Sequence, residues 1–167
     1  MCRSFEVRLP CHGRRLRRGV RPIYLEGSTA FGAGDHPTTR GCAAVLEATV
    51  RPGQRVLDYG TGSGVLAILA ALLGARALGL DVDAAAVASA RRSARASGAD
   101  ATFHQVAEHR AEMRRRVAQE GPFDVVVANL LLEPLLELRP TLALAAAPGA
   151  QLCRGRWRNS TWHRPGQ

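Results

Sequence analysis

The run Val56-Leu57-Asp58-Tyr59-Gly60-Thr61-Gly62-Ser63-Gly64-Val65-Leu66 constrains this chain more than any other. Three alternating glycines follow a short apolar strand and lead straight into an apolar helix. Such a turn lets bare backbone N–H groups approach a ligand where a helix dipole begins. A carboxylate, Asp81, follows at the end of the next apolar run. The two features together describe a nucleotide-like pocket.

Around this motif the chain alternates strand and helix. Residues 55–59 read as a buried strand and 65–73 as a helix closed by Gly74. A second strand spans 77–80, and a helix spans 84–96 with Asp83 as its cap. A third strand covers 101–106, and a charged helix covers 108–119, ended by Gly121-Pro122. A fourth strand, 123–128, is almost wholly apolar, as a central parallel strand should be. A helix over 134–147 and a short fifth strand over 151–153 complete the series. Upstream, a Gly/Pro-rich loop precedes a helix over about 38–49, and Ile23-Tyr24-Leu25 reads as a short strand. Repeated βα units of this length imply a parallel sheet covered on both faces, with a ligand at the carboxyl ends of the strands.

The bulk composition narrows the function class. The chain has 167 residues, enough for one domain with a proper core. No apolar run reaches the roughly 18–20 residues of a membrane span. The net charge is +9, and every cation is arginine. The charge is uneven: residues 1–25 carry +6, residues 151–167 carry +4, and the middle carries −1. A near-neutral body with basic ends allows weak RNA or acidic-protein contact through those ends. Cys2, Cys11, Cys42 and Cys153 form no metal-ligand spacing, so free thiols in a reducing compartment are expected. The expected location is the cytoplasm; the Arg-rich N-terminus leaves an organelle transit segment as the alternative.

The glycine spacing selects the ligand. The dinucleotide fingerprint is G-x-G-x-x-G. Here the third glycine comes one residue early, as Gly64, and Val65 stands where that pattern needs glycine. S-adenosylmethionine has no pyrophosphate; it needs close backbone approach around its amino-acid portion and a carboxylate for the ribose hydroxyls. The order Asp58, Gly60, Gly62, Gly64, then Asp81 favours S-adenosylmethionine over a dinucleotide.

Four segments then carry a family resemblance. They are Ala30-Phe31-Gly32-Ala33-Gly34-Asp35-His36-Pro37-Thr38-Thr39, the glycine run, Gly79-Leu80-Asp81-Val82-Asp83, and Asp124-Val125-Val126-Val127-Ala128-Asn129-Leu130-Leu131. Over residues 23–153 the chain resembles the methyltransferases of bacterial large-subunit ribosomal protein L-eleven, within the class I S-adenosylmethionine-dependent superfamily. The glycine run marks only the superfamily, whereas the Phe31–Thr39 loop is far more specific. The resemblance implies a Rossmann-like three-layer α/β sandwich with a mostly parallel sheet. It implies N-methylation of lysine or α-amino groups on a ribosomal protein. It also implies cofactor contacts from Thr39, Gly60, Asp81 and Asn129, with Gly62 and Gly64 shaping the turn.

Each of these residues has a physical rationale. Thr39 offers a hydroxyl near a helix N-terminus, suited to the cofactor carboxylate, or else serves as a first-turn residue. Asp81 can accept both ribose hydroxyls. Asn129 ends an apolar strand, where an amide is costly unless paired, and its amide or a neighbouring carbonyl suits a substrate amine. Phe31 suits a cation–π contact or plain packing. His36 reads as a loop-ordering hydrogen bonder rather than a general base; His104 and His109 belong to no constellation.

The chain departs from the family in three places. Ala33 stands where the family has threonine, the family's separate N-terminal recognition domain is not expected within these 167 residues, and the resemblance fades near Cys153. The expected organisation is a basic lead-in over 1–25, a cofactor-binding core over 26–153 and a basic tail over 154–167. The sheet would then end as five strands instead of seven, with Trp157 and Trp162 as candidate covers for its edge. A second reading is a non-catalytic binding module of the same fold.

Overall fold

A parallel five-stranded sheet forms the centre of the protein in a computed structural model, which describes residues 5–8, 20–26, 36–106, 110–130 and 132–155. Its strands are β3 (Arg55–Tyr59), β4 (Arg76–Asp81), β5 (Ala101–Gln105), β6 (Phe123–Ala128) and β7 (Ala146–Arg154). Their order is β5-β4-β3-β6-β7. The order reverses beside β3, which pairs with both β4 and β6. Such a switch point leaves a crevice at the strand carboxyl ends.

Side-chain alternation splits the core into two layers. On one face Val56, Ala77, Val125, Val127 and Cys153 meet α1 (Pro37–Thr49), α2 (Val65–Leu72) and α3 (Ala84–Ser97). On the other, Leu57, Leu78, Leu80, Val126 and Ala128 meet Val117 of α4 (Arg110–Glu120) and Leu135 and Leu142 of α5 (Leu132–Ala145). Because both faces are covered, the central strands β3, β4 and β6 are mostly apolar on both sides. Residues Val65 to Ala70 of α2 are all buried, which explains a helix with no polar face.

The element boundaries agree closely with the sequence reading, with two differences. Residues 1–25 are not simply a lead-in. Within them β1 (Phe5–Arg8) and β2 (Arg21–Tyr24) pair in parallel as a separate two-stranded sheet. Phe5, Ile23 and Leu25 are buried in the main core. Serines at one helical spacing on α3 hold the end of this segment: Tyr24 N donates to Ser97 Oγ at 2.9 Å, and Glu26 N donates to Ser93 Oγ at 2.9 Å. The many arginines mask the short Phe5/Val7 alternation that forms β1.

The second difference is at the sheet edge. The last helix ends at Ala145, and β7 starts at Ala146, well before the expected Gln151. Pro148-Gly149 is absorbed by a register shift between Phe123 and Val125, with Gly149 at φ +77°. An edge strand tolerates proline there because its N–H is not needed by a second neighbour. Among the described residues the sheet stops at five strands, and β7 is an open edge on which Leu152 is exposed.

Candidate functional site

The glycine turn sits at the crevice, and its geometry follows from three left-handed residues. Gly60, Gly62 and Gly64 have φ of +70°, +53° and +82°. Gly60 N and Thr61 N both donate to Leu80 O, at 2.8 and 2.9 Å, which bends the chain over the end of β4. A Cβ on Gly60 would run into the Leu130 side chain, so that side of the turn is already filled. Gly64 caps α2 without any side-chain bond of its own.

Two carboxylates organise the turn in different ways. Asp58 is buried; its Oδ2 accepts from Thr61 Oγ1 at 2.7 Å and from Ala67 N at 3.1 Å, tying turn to helix. Burial pushes its pKa up to about 6; the two hydrogen bonds oppose this, and the Asp81 charge adds to it. Asp81 is half-buried at the end of β4. Its Oδ2 accepts from Gly62 N at 2.8 Å, and its Oδ1 accepts from Asp83 N at 3.0 Å. Each carboxylate oxygen has acceptor capacity beyond its one bond.

The Asp58 shift gives a pH dependence of defined sign. A carboxyl near 6 in the folded chain and 3.8 when unfolded binds its proton more tightly when folded. Its favourable contribution is therefore full below pH 4 and is lost as the pH rises through 6. About two units at 1.36 kcal/mol each amount to roughly 3 kcal/mol. Urea midpoints between pH 4.5 and 7.5 should fall for the wild type relative to Asp58→Asn. Parallel curves for the two proteins would refute the assignment.

The third part of the site joins distant segments. Asn129, just past β6, donates from Nδ2 to Thr39 Oγ1 in the first turn of α1 at 2.9 Å. Asn129 Oδ1 is buried without a hydrogen-bond partner, and it presses against Gly155 so closely that a Cβ there would collide. Thr39 is itself buried, and its hydroxyl proton remains available to a ligand. His36 caps α1, with its ring Nδ1 accepting from Thr38 N at 3.3 Å and lying 2.7 Å from Thr38 Oγ1. That is the loop-ordering role expected of it.

The structure thus gathers Thr39, Gly60, Gly62, Gly64, Asp81 and Asn129 at the carboxyl ends of β3, β4 and β6 and the start of α1. Phe31, Ala33, His109, Trp157 and Trp162 lie outside the described residues. His104 stands apart on β5, where burial leads the causes that lower its pKa. Sequence reasoning missed Leu130 and Gly155. A leucine and a glycine in those places carry no pattern of their own. It also gave Asp58 no role beyond its place in the motif. A cleft of about 600 Å³ lined by Arg55, Arg76, Asp100 and Glu120 opens at the amino ends of the strands, opposite this site.

The crevice suits a ligand with both an adenosine and an amino-acid part. Asp81 presents two anchored oxygens, Asn129 a buried acceptor without a partner, and the left-handed glycines and the start of α2 let the backbone come close to a ligand. Buried polar atoms left unpaired inside a protein are rare and point to a missing partner.

Proteins similar to this chain include named methyltransferases. The chain is 45% identical over 131 residues to a ribosomal protein L11 methyltransferase of Burkholderia mallei, covering 78% of this chain and 41% of that protein. It spans about two fifths of the length of the curated relatives it matches. A solved ribosomal protein L11 methylase from Lactobacillus delbrueckii subsp. bulgaricus superposes with a TM-score of 0.77 at 29% identity, over 90% of this chain and 75% of that one. An RNA methyltransferase from Salinibacter ruber, solved with S-adenosyl-L-homocysteine, superposes with a TM-score of 0.57 at 29% identity, over 68% and 72%. The fold is therefore the Rossmann-like methyltransferase sandwich. The family model described as Ribosomal protein L11 methyltransferase (PrmA) matches residues 18–154, and the chain belongs to that family.

Proposed function

We propose that this chain is the S-adenosylmethionine-binding core of a protein methyltransferase that N-methylates lysine or α-amino groups of a ribosomal protein of the L11 type. The observation that carries the reading is the convergence of the Asp81–Gly62 contact with the Thr39–Asn129 pair around one crevice. Asp81 holds the ribose hydroxyls, and Thr39 with the α2 N-terminus receives the amino-acid end. Asn129 Oδ1 accepts a hydrogen bond from an amine, either the cofactor's or the substrate's.

The cofactor, when bound, supplies an activated methyl group. The chain's own task is to orient an amine in line with it and exclude water. A free lysine amine has a pKa near 10.4, so neutralising it at pH 7 costs about 4.6 kcal/mol. A dry pocket lowers that pKa by disfavouring the charged amine, and no general base is required. Among the described residues no group of three or more His, Cys, Asp or Glu side chains could hold a metal ion. The organised pocket favours a transferase over a non-catalytic module. The basic ends suit an RNA-bearing or acidic partner, as a ribosomal particle would offer. The proposed location is the cytoplasm; among the described residues no helix is long and apolar enough to cross a membrane.

Calorimetric titration with S-adenosylmethionine tests the pocket, with saturable binding in the micromolar range expected. Absence of saturation up to millimolar ligand overturns the reading. Transfer of labelled methyl to ribosomal protein L11, against a chain carrying Asp81→Ala, then tests the substrate.

A further inference from the structure

Tyr59 belongs to the strand–turn motif, yet its hydroxyl has no role in the proposed function. It ends β3, directly before Gly60, and is 5% exposed. Its ring lies on the α4–α5 side of the sheet, clustered with Leu80, Val106 and Ala128, with Leu130 packed against that cluster. Its hydroxyl is buried and has no hydrogen-bond partner. The sheet register sets it between Leu80 of β4 and Ala128 of β6, the residues immediately before Asp81 and Asn129. An apolar residue would fill the same volume without burying an unsatisfied hydroxyl.

We propose that the Tyr59 hydroxyl is a further cofactor contact, hydrogen-bonding the adenosine half of S-adenosylmethionine from the α4–α5 side of the crevice. The proposal rests on the cofactor reading above and adds a residue to it. Two observations choose the adenosine half. The Thr39–Asn129 pair, which receives the amino-acid end, lies against α1 on the opposite face of the sheet. The Tyr59 ring shares its cluster with Leu80 of β4 and with Val106 just past β5, beside the strand end where the proposed function puts the ribose; Val106 N donates to Asp81 O at 2.9 Å. The Asp81 carboxylate is also close enough to add to the effect of burial in raising the phenol to about 12. The phenol therefore stays protonated and can both donate and accept. Adenosine offers ring nitrogens and ribose hydroxyls as acceptors, and its exocyclic amine as a donor.

The test is Tyr59→Phe, which keeps the ring and removes only the hydroxyl. Two probes are titrated by calorimetry: S-adenosylhomocysteine, and 5′-methylthioadenosine, which lacks the amino-acid end. The expected result is a five- to tenfold rise in Kd for both probes. The thermal midpoint of the free protein should be unchanged or higher, because an unpaired hydroxyl has been removed. Equal affinities for wild type and variant overturn the proposal. Weakening toward S-adenosylhomocysteine alone overturns the assignment to the adenosine half. A lowered midpoint in the free protein shows that the hydroxyl is already paired within the fold, and it also counts against the proposal. Failure of the wild type to bind S-adenosylhomocysteine refutes the underlying cofactor reading, an outcome separate from any effect of the variant.

Discussion

Replacing Asp81 with alanine should weaken S-adenosylmethionine binding by between ten- and several hundredfold. The carboxylate has two tasks in the proposed complex. Its oxygens accept from Gly62 N and Asp83 N, which fixes the glycine turn relative to the start of α3. The same oxygens are offered to the ribose hydroxyls. Hydrogen bonds to a charged group contribute about 1.5–3 kcal/mol each, and every 1.4 kcal/mol is tenfold in affinity. Asp81→Asn removes part of each task, since its amide oxygen still accepts from Gly62 N while its NH₂ can accept neither from Asp83 N nor from ribose. Calorimetry should therefore place Asn between wild type and Ala. An Ala variant with wild-type Kd would remove Asp81 from the pocket altogether.

The largest loss of stability should come from Gly64→Ala. Gly64 caps α2 at φ +82°, a conformation that costs an L-residue about 1–2 kcal/mol. A Cβ there would sit 2.8 Å from Ala90 Cβ and 3.1 Å from both Ala90 Cα and Phe103 Cε1. Ala90 has no rotamer with which to move aside, so α3 itself must shift. Overpacking of this kind costs about 1–3 kcal/mol more. At roughly 2–4 °C per kcal/mol for a chain of this size, the melting midpoint should fall by about 5–15 °C. A change within 2 °C would mean that α2 and α3 are packed less tightly than the structure shows.

These two residues also show what the sequence made legible. The strand limits of β3 and β6 followed from their mostly apolar runs, because a parallel strand buried on both faces has no polar side to confuse its period. The turn and Asp81 followed from spacing alone. What could not be read was set by tertiary contact. Asn129 was visible as a costly amide at a strand end, but not its bond to Thr39. Leu130 fills the space above Gly60, and Gly155 abuts Asn129, yet neither residue type is distinctive. β1 escaped notice because Phe5 and Val7 alternate for only one step among charged residues. The long β7 escaped because Pro148-Gly149 reads as a stop, whereas a bulge absorbs it at the edge of the sheet.

The Thr39–Asn129 bond spans 90 positions of sequence. Closing a loop of that length costs chain entropy before the contact gives anything back, so this contact is expected to form late in folding. The crevice is complete only when α1 has docked and β6 has joined β3. A ligand bound there would thus favour the fully assembled sheet over every partly assembled state. At a hundred times its Kd that bias is worth about 2.7 kcal/mol. For this chain the cofactor would serve as a fastener between its first and last thirds as well as a reagent.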